Sequence, residues 1–378
     1  MRVAIVGAGV VGASVAYHLA ARGIHDVVVL DRADQPGGGS TPRATGGFRV
    51  QFGTAINIAL SLLAREKLLR FEEELGVDSG YRPHGYLFLA RSEAALNALR
   101  IANALQHANG APEPQLIDAD EARRINPAIE DDAIAGGAYG PRDGFIRAMQ
   151  IVGGYTDAAK RFGVRFDYGV EAVRWRVEGD HVIAIETRYG AIEADVFVNA
   201  AGAWASTLGI DNPVRPLRRQ VACTIETDAL PETMPMTIWL DDGFHLRVRD
   251  RRILLLRPDE PRTIDPFDDK LDDEWIADVV KRAKAKVPIA GSVAIDRNKC
   301  WAGLYEMSPD RHALLGRAHG FANLFLANGS SGHGVMHAPA LGQLLAQLIA
   351  GEEPSIDIHP LRPSRFAEGE PIAGPELL

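Results

Sequence analysis

Three glycines and one aspartate near the start of the chain have the spacing needed to hold a dinucleotide. Gly7, Gly9 and Gly12 form G-x-G-x-x-G, and Asp31 follows after about 20 residues. Gly7 suits a tight turn, Gly9 lets backbone approach a pyrophosphate, and Gly12 lets a helix lie close against a sheet. The phosphates would meet N–H groups at the helix N-terminus, and Asp31 can accept from a ribose hydroxyl. The spacing alone leaves the dinucleotide unnamed.

That chemistry needs a strand before the glycines and a helix after them, and the flanking residues supply both patterns. Arg2 to Val6 reads as a short apolar strand. Val10, Val11, Ser14, Val15 and Leu19 give a helix that stops at Gly23, and Val27 to Leu30 gives a second strand ending on Asp31. Ala55 to Leu75 reads as one long helix stopped by Gly76. Ser92 caps a helix to about Ala108, and helices are expected over Asp118 to Ile125, Ala148 to Phe162, Leu271 to Lys286 and Val335 to Gly351. Strands are expected at Gly85–Leu89, Val164–Phe166, Val182–Glu186 and Val196–Asn199. Pro213 to Arg257 alternates strands with Pro and charged turns, as an antiparallel sheet does. The fold class expected is therefore α/β in two domains: a Rossmann-like nucleotide domain with an inserted antiparallel-sheet substrate domain. The nucleotide domain would comprise 1–78, 142–214 and 308–378, and the substrate domain 79–141 and 215–307.

Composition narrows the class further. The chain has 378 residues, 46% of them hydrophobic and 24% charged, with a net charge of −9 and no block of like charges, which argues against nucleic acid as a partner. No run of about 18 apolar residues predicts a membrane span. Because the first residues read as a core strand, no signal peptide is expected, and Cys223 and Cys300 make no disulfide framework; a reducing cytoplasm is the expected location. No Cys/His group has metal-ligand spacing, so no metal is expected. No Ser/His/Asp or paired-carboxylate constellation stands out.

Three later segments point to FAD. Asp195 to Trp204 is a strand followed by a small-residue turn, Ala200-Ala201-Gly202, where backbone can pass close to a cofactor. Val170 to Val173 follows a strand, where backbone can hold an adenine. Asn328 to Gly334, NGSSGHG, precedes the last helix, and its N–H groups can face the electron-rich end of a flavin ring.

These segments resemble the D-amino-acid-oxidase superfamily of flavoproteins, and within it glycine oxidase, monomeric sarcosine oxidase and the β-subunit of L-proline dehydrogenase. The resemblance rests on GAGVVG with Asp31, on 37–49 (GGGSTPRATGGFR), 84–89 (HGYLFL), 196–204 (VFVNAAGAW), 301–317 (WAGLYEMSPDRHALLGR) and 329–339 (GSSGHGVMHAP). It implies that Gly7, Gly9, Gly12, Asp31 and Arg32 hold the ADP half of FAD, with Ser40 and Thr41 near the diphosphate and ribityl chain. It implies further that Val173 holds the adenine by backbone, that Ala200, Gly202 and Trp204 line the cofactor, and that Gly332, His333, Gly334, Val335 and Met336 flank the flavin ring.

The chain also departs from that pattern. Sarcosine oxidases attach flavin through a cysteine whose position here is Gly303, and another branch uses a histidine in the region of Arg43; non-covalent FAD is therefore expected. The family's carboxylate-anchoring lysine and arginine are replaced by Met336 and Tyr305, and a substrate-facing tyrosine falls near His245. Arg49 is the first choice to anchor a substrate carboxylate and Arg43 the second, since a guanidinium can donate two parallel hydrogen bonds. Met and Tyr in place of charges suit a bulkier amine than glycine. His245 and His333 can tune amine protonation. The reaction implied is oxidation of an amino acid or N-substituted glycine, by hydride transfer from the carbon next to nitrogen to flavin N5, with hydrolysis of the imine. The electron acceptor is oxygen or another acceptor, as in a proline-dehydrogenase-like subunit. A non-catalytic flavin-binding scaffold is the reading from another class. Oligomeric state is left open.

Overall fold

A computed structural model describes residues 1–259, 265–374 and 377. The dinucleotide pattern folds as β1 (Val3–Val6), α1 (Val10–Ala20) and β2 (Val27–Asp31). β1 and β2 pair in parallel within a six-stranded sheet, whose order is Leu314–Arg317, Leu324–Asn328, Val196–Asn199, β1, β2, Arg165–Tyr168. All its pairings are parallel except that of the edge strand Leu314–Arg317 with Leu324–Asn328. The inner strands VAIV, VVVL and LFLA are continuously apolar because both faces of this sheet are covered. α1 is buried at ten of its eleven positions, wedged between the sheet, the final helix Gly334–Ile349 and the helix Ala148–Arg161. Gly342 permits the approach of the final helix: a Cβ there would stand 2.1 Å from Ser14 Oγ.

An eight-stranded sheet forms the second layer, in the order Trp301–Met307, Arg215–Cys223, Arg252–Leu256, His245–Arg249, Met236–Trp239, Tyr86–Ala90, Gly136–Gly140, Gln115–Ile117. Every one of these strands comes from 79–141 or 215–307, and every strand of the six-stranded sheet comes from the other segments. The sheet is antiparallel with one departure: Met236–Trp239 runs parallel to Tyr86–Ala90. That pair joins two stretches far apart in sequence, so no hairpin dictates its direction.

Two readings of local structure are corrected. The helix expected over Ala55 to Leu75 breaks at Arg70 into Ala55–Leu69 and Phe71–Leu75. The break turns Phe71 onto Tyr155 with ring centroids 5.0 Å apart, over Gly154, where a Cβ would stand 2.7 Å from the Phe71 ring. Gly76, with φ of +76°, ends the second piece. Residues 172–193 form a three-stranded meander of which only the middle strand, His181–Thr187, was expected. Its first strand, Ala172–Glu178, is largely exposed and rich in arginine, which hides its period. Among the described residues no helix is long and apolar enough to cross a membrane.

Candidate cofactor and active site

A cavity of about 770 Å³ runs between the two sheets. At one end stand the glycines. Gly7 has φ of +106°, and a Cβ on it would lie 2.2 Å from the Ala200 carbonyl oxygen. A Cβ on Gly12 would lie 1.9 Å from the Gly7 carbonyl oxygen, so Gly12 serves the helix–sheet packing and does not itself line the cavity. Gly9 does line it. Asp31 binds the turn from within: its two carboxylate oxygens accept from the N–H groups of Ala8 (2.7 Å) and Ala33 (2.8 Å). Each oxygen keeps a lone pair for a hydroxyl. Thr41 Oγ1 accepts from the Val10 N–H at 3.1 Å, tying the glycine-rich loop to the start of α1. Ser40 donates to the Leu304 carbonyl at 2.6 Å.

Along the next stretch the Arg32 guanidinium lies 4.0 Å from the centre of the Trp204 ring, and Phe267 stacks on Trp204 at 6.0 Å. Ala200, Gly202 and Trp204 all line the cavity. Val170, Glu171 and Ala172 line it too, but Val173 does not. Val173 is the extra residue where the strand register shifts between Ala172 and Arg174, the position at which a bulge releases backbone from the ladder. Gly303 and Arg43 meet across the wall: a Cβ on Gly303 would lie 2.9 Å from Arg43 Cβ. Arg43 pairs with Asp269, and its carbonyl accepts from Trp301 Nε1 at 2.8 Å. Cys223 and Cys300 are buried in the far apolar cluster of the eight-stranded sheet, away from the cavity lining.

The opposite end gathers the residues whose types set chemistry. Gly332, His333, Gly334, Val335 and Met336, at the turn and first residues of the final helix, all line the cavity, as do Arg49, His245 and Tyr305. The Tyr305 ring lies against Gly332, where a Cβ would stand 2.4 Å from it, and the Arg219 guanidinium sits 5.3 Å from the ring centre. Arg49 is 3% exposed and lies 4.4 Å from the Phe52 ring centre. It donates to His333 Nε2 at 3.2 Å and to the Leu377 carbonyl at 2.6 Å. Guanidinium only donates, so His333 Nε2 is an acceptor and the ring's proton is on Nδ1. Burial lowers the Arg49 pKa from its ordinary value.

His245 Nδ1 lies 2.8 Å from the Gly243 carbonyl, which fixes the proton on Nδ1 and leaves Nε2 as an acceptor. Removal from water pushes its pKa down to about 4, and Arg219 and Arg49 add to that. The ring is therefore neutral at pH 7. Met336 is 7% exposed and contributes an apolar wall.

Two participants carry no signal that a motif reading finds. Glu306 stands unremarked inside the 301–317 stretch, yet its carboxyl faces the cavity. The residues after the final helix return across the molecule. Asp310 forms a two-pronged pair with Arg365 (2.8 Å twice) and accepts from the Ile372 N–H at 3.0 Å. The chain then passes Thr54 at Gly374, and Leu377 joins the apolar cluster of Tyr86, Phe88, Met236 and Ile238.

The glycine cradle, with its close backbone approaches and the carboxylate behind it, suits a pyrophosphate and ribose. The long cavity continues past it to a helix N-terminus, as a flavin would need. Ser330, buried beside that terminus, sits against the Glu306 carboxyl, which accepts from its N–H at 3.2 Å.

Comparison with known proteins agrees with this geometry. Residues 2–348 match a family model described as DAO: FAD dependent oxidoreductase. The chain is 29% identical over 392 residues to the mitochondrial dimethylglycine dehydrogenase of Rattus norvegicus, covering 96% of this chain and 44% of that protein; it spans less than half the length of that relative. It is 27% identical to the glycine oxidase of Geobacillus kaustophilus, with 96% of each covered. A crystal structure of L-proline dehydrogenase from P. horikoshii superposes with a TM-score of 0.89 and 26% identity, covering 98% of this chain and 99% of that one. The chain belongs to the DAO family of FAD-dependent oxidoreductases, and the cofactor of this chain is FAD.

Proposed function

We propose that this protein oxidises an amino acid or N-substituted glycine at the carbon next to nitrogen, using FAD held non-covalently. The observation that carries this reading is Arg49: a buried guanidinium, set among Phe52, His333 and Tyr305 in the cavity that begins at the glycine cradle. The flavin ring, when bound, supplies a hydride acceptor at N5. This chain's residues orient what approaches it. Arg49 holds the carboxylate, replacing its contact with the Leu377 carbonyl. His245 Nε2 accepts from the neutral amine, and a ring whose pKa lies near 4 does not compete for the amine's proton. Met236, Ile238 and Met336 keep water from the reacting carbon. Hydrolysis of the imine after release completes the reaction. Segments 1–78, 142–214 and 308–378 hold the cofactor on this reading, and 79–141 and 215–307 wall off the substrate.

A second reading differs only in the acceptor. The strand Arg252–Leu256 carries no lysine beside the cavity to assist oxygen, which favours a dehydrogenase handing electrons to a partner protein. The reading with oxygen as acceptor is retained as the first.

Anaerobic mixing tests both. Glycine, sarcosine, longer N-carboxymethyl amines and proline are mixed with holoenzyme while the flavin visible band is followed. Bleaching is expected with the bulkier secondary amines and amino acids more than with glycine. Peroxide on readmitting air separates oxidase from dehydrogenase. No bleaching by any amine supports a non-catalytic flavin-binding scaffold and rejects the proposal. Arg49→Lys should raise KM by about 10- to 100-fold, since one ammonium cannot reproduce the planar two-point contact.

A further inference from the structure

Glu306 lies on the strand Trp301–Met307, on the opposite side from Gly303 and Tyr305. Its Oε1 accepts from the Ser330 N–H at 3.2 Å and lies 3.6 Å from where a Cβ on Gly334 would be. Its Oε2 lies 3.8 Å from a Cβ position on Gly202. The carboxyl therefore stands in the cavity wall between the small-residue turn after Val196–Asn199 and the N-terminus of the sixteen-residue final helix. The buried Ser330 lies directly beside this carboxyl.

We propose that Glu306 is a charge-balancing residue of the cofactor cavity: its carboxyl takes one proton from solvent when a hydride enters the cavity, and returns it when the electron pair leaves. The balance is simple. A hydride brings two electrons and one proton, a net charge of −1, and one proton on Glu306 restores the cavity's charge. The neutral amine loses the hydride and becomes an iminium cation, which carries its positive charge out of the cavity on release and leaves the negative charge for the proton on Glu306 to balance; the electron pair later leaves to the acceptor and that proton returns to solvent.

The surroundings allow the carboxyl to exist in both forms. The Ser330 hydroxyl, the backbone of Ser330 and Gly329, and the helix N-terminus favour the anion. Removal from water opposes it more strongly and pushes the pKa up to about 7. No side chain forms an ion pair with it among the described residues. On the adjoining strand Arg215–Cys223, Glu306 faces Pro216; Arg215 donates to the carbonyls of Asn212 and Val214, and Arg219 lies over Tyr305. The turn Gly202–Thr207 has no titratable residue. Of the remaining neighbours, Arg43 is paired with Asp269, Asp310 with Arg365, and His333 accepts from Arg49.

The test uses FAD-loaded enzyme reduced by light or dithionite, with no amine present. It rests on the cofactor site, and an error about the substrate does not affect it. Wild type should gain an infrared band of a protonated carboxyl on reduction. It should also take up more protons per electron pair than Glu306→Gln, the excess growing from near zero at about pH 6 toward one proton at about pH 8, where the carboxyl begins as the anion. Glu306→Asp, which keeps a carboxyl, should retain the extra proton. Wild type lacking the carboxyl band overturns the proposal, as does equal proton uptake in wild type and Glu306→Gln. If the glutamine variant loses FAD, the wild-type infrared difference and the aspartate variant decide.

Discussion

Arg49 donates to the carbonyl oxygen of Leu377 at 2.6 Å, although the two lie 328 positions apart. The residue best placed to hold a substrate carboxylate thus already holds a peptide oxygen of its own chain, with the Leu377 side chain in the neighbouring apolar cluster. A substrate must displace that contact. A hydrogen bond to a charged group contributes about 1.5–3 kcal/mol. Removing residues 375–378 should therefore lower KM for carboxylate-bearing amines by about tenfold or more, and tighten binding of simple carboxylates by a similar factor. Titration of the flavin spectrum with acetate in both forms checks this; equal affinities would show that the tail does not compete.

The pH profile of turnover should belong to the amine. With its pKa held near 4 by desolvation, His245 stays neutral from about pH 5 upward, and kcat/KM should rise with pH only as the substrate ammonium loses its proton. His245→Ala should lower kcat/KM by about 10- to 100-fold while leaving the profile's shape unchanged. Initial rates from acid to mildly alkaline pH decide. An inflection near neutrality that vanishes in the alanine variant would assign His245 a proton-transfer role.

Asp143 links the site to stability. It is fully buried; Oδ1 accepts from the Val50 N–H at 2.9 Å and Oδ2 from Gln51 Nε2 at 3.0 Å. Burial raises its pKa to about 7 despite those bonds. A carboxyl whose pKa is raised on folding stabilises the fold while protonated, and that stability is lost as pH rises from its ordinary range near 4 through about 7. Wild type should lose about 1–3 kcal/mol relative to Asp143→Asn across that window. Thermal melts of both proteins at a series of pH values measure the difference. Parallel curves would mean that Asp143 does not titrate there.

Gly12→Ala should impair folding and FAD retention together. Its methyl would be placed 1.9 Å from the Gly7 carbonyl oxygen, a backbone atom that cannot step aside without moving the cradle. A destabilisation of about 1–3 kcal/mol is expected. The melting temperature and the protein-to-flavin absorbance ratio read the two effects separately. Full flavin content in a weakened fold would confine Gly12 to packing.

The cradle was legible because each of its parts is local: strand, glycine turn, helix and acid lie within one stretch of chain. The same holds for the Ser92 cap and the Gly76 stop, where one residue type answers one backbone need. What could not be read arises from distance. The parallel contact between Tyr86–Ala90 and Met236–Trp239 has no connecting turn to announce it. The Arg49–His333 contact spans 284 positions, and Glu306 becomes conspicuous only when Ser330 and Gly334 are folded against its strand. The course of 371–374 toward the cavity depends on Asp310 receiving the Ile372 N–H, which no periodicity encodes.

The cavity between the two sheets makes FAD a structural component as well as a reagent. One sheet supplies the glycine cradle, the other supplies Tyr86, Met236 and His245, and Met307 bridges to Ser330 at the seam. A cofactor filling that space adds contacts between the two layers beyond the direct ones, such as Ser40 to the Leu304 carbonyl and Trp301 to the Arg43 carbonyl. Heat resistance thus becomes a readout of flavin supply: each tenfold excess of free FAD over its dissociation constant adds about 1.4 kcal/mol to the folded state.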